Sequence, residues 1–148
     1  MEDHNSPEAV DKRSAQEDPI VMYLIVRESL GMSIGKACAQ CAHASQMLLI
    51  LFREHLYKWK QDTSNENLLS LTNIFEEWLS TSFRKVVLRA DDKEWLKVKA
   101  SFVEGHTSIV VVDAGLTEIA SGSETVIGLY PMRRSEAPKV IKKLQVLK

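Results

Sequence analysis

The chain has 148 residues, 45% of them hydrophobic and 26% charged, ordinary values for a globular protein long enough to bury a core, and one domain is expected. The formal net charge of −1 argues at first sight against a nucleic-acid partner, yet residues 1–20 carry six acids against two bases and the remainder 17 bases against 14 acids, a mildly basic body behind an acidic tail. No apolar run approaches the roughly 20 residues that cross a bilayer, and the N-terminus is not basic and then apolar, so no membrane association and no secretory signal are expected.

Residues 1–18 are polar and nearly free of large apolar groups. They cannot offset the entropy of ordering and read as a flexible acidic tail ahead of a domain over 19–148. Ile20 to Val26 (IVMYLIV) is a continuous apolar run rich in β-branched residues, as expected for a central strand buried on both faces. Arg27 to Ser33 makes a turn, and Ser33 is placed to cap a long helix from Ile34 to about Trp59. The polar stretch Gln61 to Asn67 breaks the chain before a second helix with Leu68, Leu71, Phe75, Trp78 and Leu79 on one stripe.

Lys85 to Ala90 reads as a second strand, Asp91 as the cap of a helix ending near Gly105, and Thr107 to Val112 as a third strand. The link from Asp113 to Glu124 is too short for a crossover helix, so the fourth strand, Thr125 to Tyr130, should run antiparallel to the third. After Pro131 an amphipathic helix should turn Ala137, Val140, Ile141 and Leu144 inward. The order β-α-α-β-α-β-β-α predicts an α/β fold, a three-layer α/β/α sandwich on a mixed sheet of four strands.

The most informative stretch is Gly31 to Ala44, a turn flanked by glycines that opens a helix. Lys36, Gln40 and His43 fall within a narrow arc of that helix, and Ala37, Cys38, Cys41 and Ala42 are expected on its packing side. A lysine one turn into a helix after a glycine-rich loop suits a phosphate. Cys38 and Cys41 form a C-x-x-C pair but lie past the first turn among alanines, where packing explains them better than redox or metal chemistry, and a reducing, cytoplasmic setting fits. In open sheets ligands bind outside the carboxyl ends of parallel strands, and both the turn before Lys36 and the third strand's end at Asp113 lie there. Six bases near the C-terminus (Arg133, Arg134, Lys139, Lys142, Lys143, Lys148) read first as a solvated face and otherwise as a polyanion contact.

Gly31-Met32 with Gly35-Lys36, then Ala39 to Ala44, Lys85 to Leu88, and Asp113-Ala114-Gly115 with Thr117, Ile119-Ala120, Gly122-Ser123 and Thr125-Val126 resemble the second, archaeal and eukaryotic-type family of peptidyl-tRNA hydrolases. The resemblance runs from about Ile20 to Lys148. It implies hydrolysis of the ester joining a peptide to the terminal ribose of tRNA, without a cofactor or a metal, on a four-stranded mixed sheet in order 2-1-4-3 whose last strand is antiparallel. Tied to the family, the catalytic positions are Lys36, Asp113, Thr117 and Thr125, with Gly35, Gln40 and His43 as substrate-binding walls. Peptidyl-tRNA is the implied partner, and a homodimer is left open. Ile34 and Glu118 stand where the family usually carries lysine and glutamine. With the acidic tail they motivate the other reading, a non-catalytic interaction module on the same fold.

Overall fold

The computed structural model describes residues 17–115 and 118–148. Strand β1, Ile20–Arg27, is buried along nearly its whole length, and its two-residue alternation splits it between two cores. Ile20, Met22, Leu24 and Val26 face one cluster, which includes Leu48, Phe52, Phe75 and Trp78. Val21, Tyr23 and Ile25 face the other, which includes Trp95, Val98, Ile141 and Leu144. The sheet is therefore the middle of three layers.

Helix α1, Ile34–Gln61, buries Ala37, Gln40, Ala44, Leu48, Phe52 and His55, one residue per turn. Helix α2, Glu66–Ser80, packs beside it through Phe52 and Phe75, whose rings stack at 4.5 Å. On the far face lie α3, Asp92–Ser101, which starts at a capping box between Asp91 and Glu94, and the short α4, Lys139–Lys142.

Strands β2, Lys85–Ala90, β3, Ser108–Val112, and β4, Glu124–Leu129, complete the main sheet. β2 runs parallel to β1. β4 runs antiparallel to both β1 and β3. The four long strands stand in the order 2-1-4-3, as the family resemblance implied, but the sheet has six strands rather than four. Met132–Arg133 (β5) pairs with the start of β1, and Gln145–Val146 (β6) pairs with β2. Two-residue strands carry no readable alternation, and β6 follows directly on Leu144, the last residue expected in the final helix. It covers the edge of β2 that would otherwise offer unpaired backbone groups.

Asp18, read as tail from the sequence, accepts hydrogen bonds from the Ser135 backbone N–H at 2.9 Å and the Ser135 hydroxyl at 2.7 Å. Residues 1–16 of the expected tail lie outside the described residues. Cys41 is half-buried, but Cys38 is exposed, a correction to the packing role expected of it. Ala42 is exposed too, because the buried stripe runs through Ala37, Gln40 and Ala44 instead. Burial pushes the Cys41 thiol up to about 11. No helix among the described residues is long and apolar enough to cross a membrane.

The approach of α1 to β4 sets the position of everything on its first turns, and Gly128 permits it. A Cβ there would lie 3.0 Å from the terminal carbons of Ile109 and Leu48 and 3.3 Å from Ala44 Cβ. Gly128→Val should lower the unfolding free energy by about 1–3 kcal/mol through overpacking, read from urea denaturation at neutral pH.

Candidate active site

Asp113 follows β3 at its carboxyl end, beside the start of the antiparallel β4 and the end of β1. Its backbone is pinned on both sides: its N–H donates to Ser123 O at 2.8 Å, and its carbonyl accepts from Gly122 N at 2.9 Å. The turn that follows needs Gly115, which has φ 75° and where any Cβ would overlap Ser121. That turn aims the Gly115 N–H at Asp113 Oδ2, 2.7 Å away. The carboxylate is thus fixed before any other side chain meets it.

Lys36 reaches it from the first turn of α1. Ser33 caps this helix by accepting from Lys36 N at 3.2 Å, and Lys36 Nζ donates to Asp113 Oδ1. The two side chains are only 10% and 4% exposed, so the pair is largely removed from solvent. One turn further, Gln40 Nε2 lies 3.4 Å from the same Oδ1. Its Oε1 accepts from Thr125 Oγ1 at 2.6 Å, and the same hydroxyl has a second acceptor in Val111 O at 3.3 Å. Lys36, Asp113, Gln40 and Thr125 form one connected network across three elements.

The position of Thr125 comes from a bulge. Val111 pairs with Val126 and Val112 with Glu124, so Thr125 is the extra residue on β4. Bulges re-aim a side chain out of the regular alternation, and here the hydroxyl turns under Gln40. Thr125 is fully buried. In this geometry its hydroxyl meets the site through Gln40.

The remaining expected residues divide. Gly35 is exposed, with nothing within 4 Å of where a Cβ would be, so it leaves the surface beside Lys36 open. His43 is exposed and helps to hold the Asp113 carboxyl down by its charge. Thr117 lies outside the described residues. The C-terminal bases do not gather here. Arg134 and Lys142 line a groove of about 820 Å³ with Val21, Tyr23 and Arg84, at the amino ends of β1 and β2, while Arg133 pairs with Glu77 at 2.7 Å.

Sequence reading understated two features. Gln40, expected as a wall, is buried and central. Glu118 accepts from Ser33 N at 2.9 Å and from Ser33 Oγ at 2.6 Å. The second had a signal: α1 carries no acid in its own first turn, where a helix favours negative charge. These bonds hold the Glu118 carboxyl below the usual range. For Asp113 the direction is the same, caused first by the Lys36 hydrogen bond and then by the Gly115 N–H, against desolvation. The site therefore presents an ammonium with donors to spare beside a carboxylate kept ionised.

Comparison with known proteins is consistent with this geometry. The family model described as "Peptidyl-tRNA hydrolase PTH2" matches residues 20–147. The chain is 37% identical over 123 residues to "Peptidyl-tRNA hydrolase 2" of Saccharomyces cerevisiae, covering 81% of this chain and 52% of the relative. It is 35% identical over 127 residues to "Peptidyl-tRNA hydrolase" of Methanopyrus kandleri, covering 84% and 96%. It is 36% identical over 112 residues to "Peptidyl-tRNA hydrolase 2, mitochondrial" of Homo sapiens, covering 74% and 54%. The chain thus spans about half the length of these eukaryotic relatives and nearly all of the archaeal one.

The buried pair ties stability to pH. The Asp113 pKa is lower folded than unfolded, so its stabilisation is complete above the ordinary carboxylate value of about 4 and is lost as pH falls through the lowered folded value. Wild type should be more stable than Asp113→Asn at pH 6–7, with the gap in urea-unfolding free energy shrinking below about pH 4. A gap that stays constant from pH 6 to 3 would contradict this assignment.

Proposed function

The chain belongs to the "Peptidyl-tRNA hydrolase PTH2" family, whose model matches residues 20–147, and from that premise we propose that it hydrolyses the ester between peptide and tRNA in peptidyl-tRNA. The observation that carries the reading is the buried contact of Lys36 with Asp113 at the carboxyl end of β3. Water attacks the ester carbonyl carbon, the bond to the ribose oxygen breaks, and that oxygen leaves with a proton derived from the water. The products are a free peptide acid and a tRNA with an intact terminal ribose.

The residues divide this work according to their geometry. Asp113 is a weak base, since its pKa is lowered, and Oδ1 is occupied by Lys36 and Gln40. Its Oδ2 accepts from Gly115 N and keeps a second lone pair that can orient the attacking water. The Lys36 ammonium has three donors, one of them held by Asp113. The other two serve the oxyanion that develops on the carbonyl, or a neighbouring phosphate. Gln40 and Thr125 keep the carboxylate from turning, and Thr117, by the family resemblance, completes the set.

Peptidyl-tRNA is the partner in this proposal, and the cytoplasm, where thiols stay reduced, is the compartment. For a homodimer the supporting feature is a set of exposed apolar side chains, among them Ile34, Leu49 and Phe83. Sedimentation equilibrium reads that state.

Purified protein should release tRNA from an N-blocked aminoacyl-tRNA. Asp113→Ala should lower kcat by about 100-fold or more with an unchanged circular dichroism spectrum. Binding should weaken steeply with added salt, as phosphate contacts require. Wild-type protein without turnover across several tRNAs would leave the non-catalytic module as the reading.

A further inference from the structure

Two acids of one loop grip the first turn of α1, and the proposed chemistry uses only one of them. Asp113 takes the side chain of Lys36. Five residues on, Glu118 takes Ser33 at two points: the backbone N–H to Oε2 at 2.9 Å and the hydroxyl to Oε1 at 2.6 Å. A serine hydroxyl has one proton, and committing it to Glu118 leaves only lone pairs to face the other way. The Lys36 backbone N–H lies on that side and donates to Ser33 Oγ at 3.2 Å.

We infer that Glu118 is a positioning residue for the proposed hydrolysis: through the Ser33 hydroxyl it fixes the backbone of Lys36, while Asp113 fixes the lysine's side chain. The inference rests on the functional reading above. Its physical content is a clasp closed at both ends. At its base the loop is tied by Asp113 N to Ser123 O and Gly122 N to Asp113 O. Toward its tip, Glu118 to Ser33 is the tie to α1 among the described residues.

The charges complete the argument. α1 carries no acid in its first turn, so its positive end lacks a complement of its own, and a carboxylate there is stabilised by the helix dipole. Lys36 adds its charge in the same direction. The loop supplies the missing anion and gains its own position in return. A site that must aim an ammonium at a carbonyl oxygen gains rate from such fixing.

Two variants separate this role from simple charge. Glu118→Gln and Glu118→Ala remove the same charge, so any effect on binding of a polyanion is common to both. Only the glutamine can still accept one of the two bonds from Ser33, through its amide oxygen, and its NH2 can meet the Ser33 hydroxyl oxygen as a donor. Glu118→Ala should lower kcat about tenfold, and Glu118→Gln should return it to within about twofold of wild type, with equal KM shifts in the two variants. Equal kcat in both variants, whether lowered together or unchanged together, overturns the proposal.

A second measurement does not depend on turnover. Amide hydrogen exchange at Ser33 and Lys36 should speed up about tenfold in Glu118→Ala and stay near wild type in Glu118→Gln. Unchanged exchange in the alanine variant overturns the clasp, and faster exchange with unchanged kcat overturns the positioning role. If wild type shows no turnover, the hydrolase reading fails, and exchange alone decides whether Glu118 holds Lys36.

Discussion

The contact of Lys36 with Asp113 is the interaction on which the rest of the site depends, and it is one a protein does not form cheaply. Both side chains are nearly removed from water, and taking charges out of water costs several kcal/mol per ion before their attraction is counted. Such a pair persists only when further hydrogen bonds complete it. Here Gly115 N serves Oδ2 and Gln40 serves Oδ1. The fold brings Lys36 and Gln40, 77 and 73 residues away in sequence, to the one carboxylate of Asp113. Removing either charge would leave the other buried without compensation.

That requirement explains features that otherwise look unrelated. α1 must lie close to β4 for Lys36 to reach the end of β3, and Gly128 and Ala44 are small where the two meet. The bulge at Thr125 would only weaken a regular ladder, yet it supplies the hydroxyl that orients Gln40. The two glycines of the loop, with φ 75° at Gly115 and 83° at Gly122, take up the turns that lead the chain from Asp113 back to β4 at Glu124. Each local departure from regular structure serves the carboxylate.

Much of this was legible in the sequence because the responsible signals are local. β1 announced its double burial by an unbroken apolar run, and Ser33 and Asp91 announced helix starts by capping chemistry. Asp113 and Lys36 could be placed at one edge because both follow strands that run in the same direction. What stayed hidden depends on register and exposure. A bulge is a mismatch between two strands and leaves no mark in either alone. β5 and β6 are too short to alternate. Cys38 looked like packing because its neighbours are small, but helical phase puts the buried stripe on Ala37 and Gln40 instead. Of the C-terminal bases, Arg134 and Lys142 sit at the other end of the sheet from Asp113, while Lys148 lies beside Gly31 and Ile34.

The electrostatic state of the site constrains how an ester could be opened there. A carboxylate whose pKa is lowered by a lysine and a backbone N–H is a poor proton acceptor at neutral pH, so strong general-base catalysis does not fit it. Its fixed orientation does fit a water held for attack, with the proton leaving late in the step. The developing negative charge on the carbonyl oxygen then finds an ammonium already in place, and because the groups are already oriented, little reorganisation accompanies the reaction. Chemistry of this kind depends more on where Lys36 is held than on how basic Asp113 is. In the proposed hydrolysis that dependence gives the N-cap of α1, where Ser33 stands between Lys36 and Glu118, a positioning role beside that of the carboxylate.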